Sequence, residues 1–361
     1  MKAAIITAFD PYVFKGGIER YTLQLIRLLE GHGIGVDVYH TGLIDEDMGL
    51  KHKMLGKIYA LGRKFGEVER NYDFVISNSF YGLGYFPPGI KAFNIYHSNH
   101  VTLDKSVEGI ISHITSLEWT YLCGYLGEMV SGFDRIKIAV SDPVKEELVR
   151  YYGFDDVRVV ESGVDTGLFK PIKPKTDLRK KYSIPADAFV GIFVGRWHKT
   201  KGSDILEKII QKTPDNHWLL VLGTGSDNCP LRQTKNVTIL DEVPYEEMPL
   251  IYSLSDFMFF PSRYEGFGLV ILEAMACGLP TFAGDVGIAR KIYKSEPFSE
   301  LKLDFSIDEK YLIYGSLKRI YSLRTDTEWK NKISEEGRRL VEENYTMNIW
   351  QTKMLSALDL I

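Results

Sequence analysis

Residues 257–280 place the strongest constraint on how this chain folds. The apolar run Phe257–Phe260 predicts a buried strand, and Leu269–Cys277 predicts an apolar helix that ends at Gly278. The turn between them, residues 265–268, reads Glu-Gly-Phe-Gly. A strand that leads directly into a helix is the repeating unit of parallel sheets, so we expect an α/β protein.

The turn has the properties of a phosphate site. Gly266 and Gly268 lack side chains, so the backbone there can turn sharply and approach a ligand closely. The first turn of the following helix carries free N–H groups and the positive end of the helix dipole, which favour an anion. The stretch therefore predicts a phosphate contact at the start of this helix.

Two carboxylates accompany the turn. Glu273 lies in an otherwise apolar helix, where burial without a partner would be costly, so we expect a specific hydrogen-bond partner for it. Taken alone, Glu273 could cap a neighbouring strand, and Glu265 could be a solvated loop residue. Together with the phosphate-facing turn, the pair predicts hydroxyl-binding groups in a sugar-nucleotide site.

Composition narrows the class of protein. The 361 residues are enough for two domains, and 44 Lys+Arg against 48 Asp+Glu give no positive excess that would call for nucleic acid. The cysteines at 123, 229 and 277 have neither disulfide nor metal-ligand spacing. No signal peptide or membrane-spanning run is recognised, so we expect a cytoplasmic protein.

The N-terminal half repeats the strand–helix pattern. Strands are predicted at Lys2–Ala8, Gly35–Tyr39, Phe74–Ser77, Ala92–His97 and Ile136–Val140, and a strand and turn together at Val159–Asp165. Gly16 and Gly17 open the first helix, where bare N–H groups face a second phosphate contact, although a lone Gly-Gly is more often only a turn. The G-x-G-x-x-G fingerprint is absent from this unit, which argues against a dinucleotide-binding half.

Three features of this half have two interpretations each. Lys51–Arg70 is basic and amphipathic, and Ile110–Phe133 is rich in aromatic residues. Either both are packed helices with a solvated face, or they form a surface that touches a membrane or a lipid-linked acceptor. His97 ends a predicted strand, where doubly wound sheets bind ligands, so we favour a ligand role for it, with donation to a sugar hydroxyl or to the backbone, and a structural role for His100.

The C-terminal half begins after a proline- and lysine-rich junction. We predict domains at 1–168 and 169–343, and a terminal helix at 344–361 that crosses back to the first domain. Strands are expected at Phe189–Val194, Trp218–Leu222, Val237–Leu240, Phe257–Phe260 and Pro280–Ala283. This predicts two doubly wound, Rossmann-like domains facing across a cleft.

The first strand of the C-terminal half leads into a basic loop. Arg196 and Lys201 follow Gly195, and arginine can grip phosphate oxygens bidentately while lysine supplies a compact charge. A basic loop alone would be read as solvated, but beside the Glu-Gly-Phe-Gly turn the two cations predict diphosphate binding. Gly223 ends the next strand and is expected to pass beneath the nucleotide.

These motifs together resemble the retaining glycosyltransferases of family 4, which have the GT-B fold. The resemblance covers nearly the whole chain and rests on Gly-Gly-Ile-Glu-Arg at 16–20, Gly-Val-Asp at 163–165, Gly-Arg at 195–196, Lys-Gly at 201–202 and Glu-x7-Glu at 265–273. Ser162 stands where the family often has asparagine before Gly-Val-Asp, so contacts at that turn are expected to differ.

The resemblance implies a nucleotide-diphosphate sugar as donor, most often a UDP- or GDP-sugar, bound mainly by the C-terminal half. It implies that Arg196 and Lys201 bind the diphosphate and stabilise its charge as it leaves. Contacts to the donor's hydroxyls and phosphates are implied for Glu265, Gly266, Phe267, Gly268, Leu269, Val270 and Glu273, with Glu273 on the ribose, and from the first half for Gly17 and His97.

The implied reaction is transfer with retention to a hydroxyl acceptor, without a metal or other cofactor. The acceptor would be a glycan, a lipid-linked saccharide or a small molecule, in the synthesis of cell-envelope glycan, polysaccharide or glycolipid at or near the inner face of the membrane. Asp45–Asp47 spells a metal motif of another transferase fold, but we interpret it as solvated. Two alternatives remain: a non-catalytic sugar-nucleotide-binding subunit, and another GT-B enzyme such as a sugar-nucleotide epimerase.

Overall fold

A computed structural model of the chain describes residues 1–14, 16–44, 53–87, 89–106, 117–172, 176–223, 229–232 and 234–361. It describes their side chains except those of residues 53, 106, 118, 119, 176 and 177. The Asp45–Asp47 triplet, Lys51 and residues 110–116 of the aromatic-rich stretch Ile110–Phe133 lie outside the described residues. The chain forms two compact units, Met1–Glu161 with Gln351–Ile361, and Ser162–Trp350.

The first unit is built on a parallel sheet. Its strands are β1 Lys2–Thr7, β2 Gly35–His40, β3 Phe74–Asn78, β4 Lys91–Tyr96, β5 Ile136–Ala139 and β6 Val157–Val159, in the order β2-β1-β3-β4-β5-β6. Its helices are α1 Gly17–Gly31, α2 Lys53–Gly66, α3 His100–Ser106, the π-helical α4 Glu118–Met129 and α5 Asp142–Tyr152. Short 3-10 turns lie at Thr41–Leu43, Glu69–Asn71 and Ser79–Gly82.

The second unit repeats the architecture with a five-stranded parallel sheet. Its strands are β7 Phe189–Val194, β8 Asn216–Val221, β9 Val237–Leu240, β10 Phe257–Phe260 and β11 Thr281–Ala283, in the order β11-β10-β7-β8-β9. Its helices are α6 Thr176–Lys181, α7 Ser203–Gln211, α8 Met248–Tyr252, α9 Leu269–Ala276, α10 Ala289–Ile292, α11 Glu309–Thr325, α12 Thr327–Asn344 and the start of α13 Met347–Ala357. Its 3-10 turns lie at Lys199–Lys201, Tyr245–Glu247 and Phe298–Leu301.

The C-terminal residues pack with the first unit. Arg158 donates to the carbonyl oxygen of Ala357 at 2.6 Å and to Oδ1 of Asp359 at 2.8 Å. Lys91 Nζ lies 2.6 Å from Oδ2 of Asp359. These contacts join the end of the chain to strands β4 and β6.

Two parallel α/β sheets confirm the predicted fold class, but one predicted strand is misplaced. The strand expected at Val159–Asp165 is wrong, because β6 ends at Val159 and only an isolated bridge follows at Val164. Strand β6 is the edge of its sheet, and its neighbour β5 ends at Ala139. The amide of Val160 reaches Ala139, and the residues beyond it have no strand of this sheet to pair with.

Helix α2 uses its apolar face inside the protein. Leu55, Ile58, Leu61 and Phe65 are buried in two clusters beneath it. This supports the interpretation of α2 as a packed helix, because these side chains are not available to a membrane surface. Across the described residues, none of the helices combines the length and the hydropathy needed to cross a bilayer.

Helix α2 approaches the loop at residues 83–85 closely at Gly62. A Cβ at Gly62 would clash with the carbonyl oxygen of Leu83 and lie 2.6 Å from the amide of Tyr85. We expect Gly62→Ala to lower the free energy of unfolding by about 1–2 kcal/mol, although alanine favours a helix interior by about 1 kcal/mol. The measurement is urea unfolding.

Gly315 in α11 provides the matched control. A Cβ there would meet only the flexible end of Arg319, at 3.5 Å. Gly315→Ala should therefore be neutral or stabilising by up to about 1 kcal/mol. Equal effects of the two substitutions would contradict the close approach of α2.

Candidate donor-binding site

The carboxyl edge of the C-terminal sheet brings the predicted donor-binding loops together. Strands β10, β7 and β8 are parallel neighbours, so the loops that follow them leave the sheet at one edge. These loops carry residues 265–268, residues 195–201 and Gly223 respectively. The sheet order, which the sequence does not reveal, places all three loops side by side.

An ion pair joins the first two loops. Lys201 Nζ donates to Oε1 of Glu265 at 2.6 Å, and the two side chains remain 20% and 13% exposed. A cation and a carboxylate thus lie next to each other and within reach of a ligand. Phosphate oxygens would find a partner in the ammonium group, and sugar hydroxyls would find one in the carboxylate.

A second pair holds these loops in position. Arg263 donates to both carboxylate oxygens of Asp204, at 2.7 and 2.8 Å, and its amide donates to the carbonyl oxygen of Thr200 at 3.0 Å. Partial burial opposes ionisation of Asp204, but the hydrogen bonds and charge of Arg263 lower the pKa of that carboxyl. Gly202 completes the junction at φ +74°, where a side chain would clash with the backbone of Pro261. No local pattern in the sequence predicts this pair, because its members are 59 residues apart.

The loop after β7 concentrates positive charge. Arg196 is exposed and forms no ion pair with residues that the structure describes. Partial burial together with the charges of Arg196 and Lys201 lowers the pKa of His198, which lies between them in the loop. Both cations therefore act on the same region, as an anion site requires.

Helix α9 presents its N-terminal turn at the same edge. Gly268 precedes the helix at φ +90°, a conformation that glycine adopts without strain. Leu269 and Val270 are half-buried, whereas residues 271–276 are buried. Phe267 is buried, and its carbonyl oxygen accepts from the amide of Ile288 at 2.7 Å. The accessible end of α9 is thus the end with free N–H groups.

Glu273 has the specific partner that its burial demands. The carboxylate is 2% exposed, and Tyr252 Oη donates to its Oε2 at 3.2 Å. Burial and the neighbouring Glu273 raise the pKa of Tyr252 well above its ordinary range, so the phenol remains a donor. A ribose contact for Glu273 stays a prediction.

Gly16 and Gly17 open α1, as predicted, but their N–H groups do not stand alone. Glu19, in the first helical turn, is buried with its Oε2 packed directly against Gly16. Burial raises the pKa of Glu19, and a hydrogen bond from its own amide opposes that shift. The sequence analysis did not anticipate this carboxylate beside the proposed phosphate contact, which stays a prediction.

The hydrogen bonds of His97 determine which ring nitrogen carries the proton. Its Nε2 lies 2.9 Å from Oδ1 of Asn78. Asn78 Nδ2 donates to the hydroxyls of Thr7 and Thr22 at 3.1 and 3.0 Å. The hydroxyl of Thr22 donates its proton to the carbonyl oxygen of Ile18, so toward Asn78 it can only accept. The amide orientation is therefore fixed, and Nε2 of His97 is the donor.

The same network changes the expected role of His97. Burial lowers its pKa to about 4, so the ring is neutral at neutral pH. With Nε2–H committed to Asn78, the ring offers Nδ1 as an acceptor. Donation to a sugar hydroxyl would have to compete with Asn78 for Nε2–H, whereas Nδ1 can accept from a hydroxyl. A sugar contact of His97 stays a prediction.

Comparison with known proteins identifies the family. The profile "Glycosyltransferase Family 4" matches residues 15–168, and "Glycosyl transferases group 1" matches residues 174–301. The chain belongs to this family of glycosyltransferases. Its two parallel-sheet units have the GT-B fold, as in the structural neighbours below.

The relatives found by sequence match different lengths of the chain. A D-inositol 3-phosphate glycosyltransferase of Xylanimonas cellulosilytica is 33% identical in an alignment of 183 residues. The match covers 46% of this chain and only 44% of that protein. One of Corynebacterium aurimucosum is 25% identical over 75% of each chain.

Two solved structures share the fold over almost the full length. Sucrose-phosphate synthase from Thermosynechococcus elongatus has a TM-score of 0.78 and 22% identity, covering 99% of this chain and 98% of its own. Anabaena Alr3699/HepE in complex with UDP-glucose has a TM-score of 0.73 and 18% identity, and both chains are covered completely.

The tautomer of His97 is testable by NMR of 15N-labelled histidine. We expect Nε2–H with an unprotonated Nδ1 at neutral pH, and protonation only near pH 4. Because this pKa lies below the ordinary 6.5, the unfolded chain binds more protons between those values, and stability falls as pH drops through that window. His97→Gln should remove that part of the pH dependence. Titration near 6.5, or an Nδ1–H tautomer, would refute the assignment.

The Arg263–Asp204 pair predicts a measurable coupling energy. A double-mutant cycle with Arg263→Met and Asp204→Asn should give about 1–3 kcal/mol in urea unfolding, since both hydrogen bonds are charged and partly buried. The exposed pair Lys208–Glu309, at 2.5 Å, is the control and should give under about 1 kcal/mol. Equal couplings would show that Arg263 does not tie the loops together.

Proposed function

We propose that this chain transfers a sugar from a nucleotide-diphosphate sugar to a hydroxyl acceptor, with retention of configuration and without a metal. The observation that carries the proposal is the Lys201–Glu265 pair beside Arg196 and the N-terminal turn of α9. These groups lie at one edge of one sheet, and they supply partners for both the diphosphate and the sugar of such a donor.

The proposed mechanism depends on where negative charge develops as the sugar is transferred. When the glycosidic bond to the diphosphate breaks, negative charge builds on the leaving phosphate oxygens. Arg196, Lys201 and the free N–H groups of α9 would oppose that charge from fixed positions. We assign Glu265 to the donor's hydroxyls rather than to nucleophilic attack, because Lys201 already engages one of its oxygens. The leaving phosphate would take the acceptor's proton.

The comparisons suggest which substrates to test first. The Anabaena neighbour was solved with UDP and with UDP-glucose, so we propose a UDP-sugar as donor ahead of a GDP-sugar. Relatives are named for D-inositol 3-phosphate, which makes that compound the first acceptor to test. Synthesis of cell-envelope glycan or glycolipid, a cytoplasmic location and contact with the membrane surface are further proposals.

A thermal-shift screen against UDP-, GDP- and ADP-glucose, each beside its free nucleotide, tests the donor site. A ligand at 100 times its Kd stabilises the native state by about 2.7 kcal/mol, so a rise of several degrees in Tm is expected with UDP-glucose. Lys201→Ala and Glu273→Ala should abolish the shift relative to their own unliganded Tm.

Lys208→Ala is the control for that screen, because Lys208 is a surface lysine of α7 paired with Glu309. It should keep the full shift. A folded protein that responds to none of these nucleotides, or a Lys201→Ala variant that responds normally, would count against the proposed site.

A further inference from the structure

Glu128 is a fully buried carboxylate that the donor site does not use. It accepts three hydrogen bonds, from the amide of His100 at 3.0 Å, from Nδ1 of His100 at 2.8 Å and from Tyr152 Oη at 2.7 Å. Its own carbonyl oxygen accepts from Tyr96 Oη at 3.0 Å. Burying a carboxylate costs several kcal/mol unless it is paired in this way, so the arrangement holds His100 firmly.

Of the two members of this pair, only the histidine can be reached. The side chain of His100 is 19% exposed, whereas that of Glu128 is 0% exposed. Because Nδ1 donates to Glu128, the second ring nitrogen, Nε2, remains for a ligand. The edge-on ring of Phe80, with its centroid 5.2 Å away, restrains the imidazole further.

The pair lies where a parallel sheet binds ligands. His100 begins α3, just past the carboxyl end of β4 and three residues after His97. We predicted a structural role for His100, as for most lone histidines. Its partner Glu128 lies 28 residues further along the chain, where no local pattern points to it.

We propose that His100 binds the acceptor, donating from Nε2–H to an oxygen of a hydroxylated molecule such as a polyol or sugar, with Glu128 as the positioning residue. This inference rests on the proposed transferase function. The imidazolium–carboxylate pair is neutral overall, so it selects for a hydroxyl oxygen rather than for an additional negative charge.

The electrostatics of the pair make acceptor binding dependent on pH. Burial opposes a charged imidazole, but Glu128 overcomes it and raises the pKa of His100. The charged donor form therefore persists to higher pH than in an unpaired histidine and is lost as pH rises through the raised pKa. Titratable groups that interact with Glu128 or share its surroundings include Tyr81, Tyr96 and Tyr152. The helices of the pair also carry Asp104 and Lys105 on α3 and Tyr121, Cys123 and Tyr125 on α4.

The test uses the full chain with 15N-labelled histidine, saturated with UDP, and two probes, myo-inositol and D-inositol 3-phosphate. Both should perturb the Nε2 resonance of His100, with dissociation constants within about threefold, because the pair is neutral. His100→Gln should weaken probe binding about 10-fold or more, the value of a charged hydrogen bond. Glu128→Gln keeps an oxygen acceptor, and should move the fall in probe affinity to lower pH.

His32→Gln is the matched control, since His32 lies at the end of α1 with Nδ1 2.8 Å from the carbonyl oxygen of Leu28. It should bind both probes normally. The proposal is overturned if neither probe perturbs His100, if only the phosphorylated probe does, or if Glu128→Gln leaves the pH dependence unchanged.

The UDP-glucose melting shift of each variant separates this inference from the proposed function. If UDP-glucose raises the melting temperature normally but neither probe perturbs His100, only the proposed acceptor site is refuted. A missing donor shift in the wild-type chain removes the proposed function, whatever the probes do.

Discussion

The pairing of β7 with β10 and β8 is the constraint on which the donor site depends. Gly191, in β7, has no side chain, and a Cβ there would come within 2.7 Å of the rings of both Phe257 and Trp218. These two aromatic residues, from the strands on either side, therefore pack across the middle of β7. Because the three strands are parallel, their alignment sets where the loops with Lys201, Glu265 and Gly223 begin.

Several polar groups buried among the described residues join segments that are distant in the chain. Glu273 and Glu128 each accept from a tyrosine hydroxyl. Arg135 is buried, and it donates to Ser77 and to two loop carbonyl oxygens. Burial lowers its pKa to about 10. A buried polar group that loses its hydrogen-bond partners in a low-dielectric interior costs free energy. These contacts therefore hold the backbone that carries the functional side chains.

Much of the fold could be predicted because its signals are local. The strands at Phe189–Val194, Val237–Leu240 and Phe257–Phe260 have the predicted bounds, and α9 begins at the predicted residue. Apolar runs, glycines and helix ends act over a few residues, so they can be read without knowing the rest of the chain. The misplaced strand at Val159–Asp165 shows the limit, because whether a run forms a strand depends on whether a neighbour is there to pair with it.

The sequence by itself determined the α/β class, the glycine-rich turn before α9 and the need for a partner at Glu273. Only the tertiary structure decided that the partner is Tyr252, that Arg263 holds Asp204 and that Glu128 holds His100. Arg263 and Asp204 are 59 residues apart in the chain, and His100 and Glu128 are 28 apart. Hydrogen bonds act over about 3 Å, so which distant side chains meet is set by strand order and helix packing rather than by any local pattern.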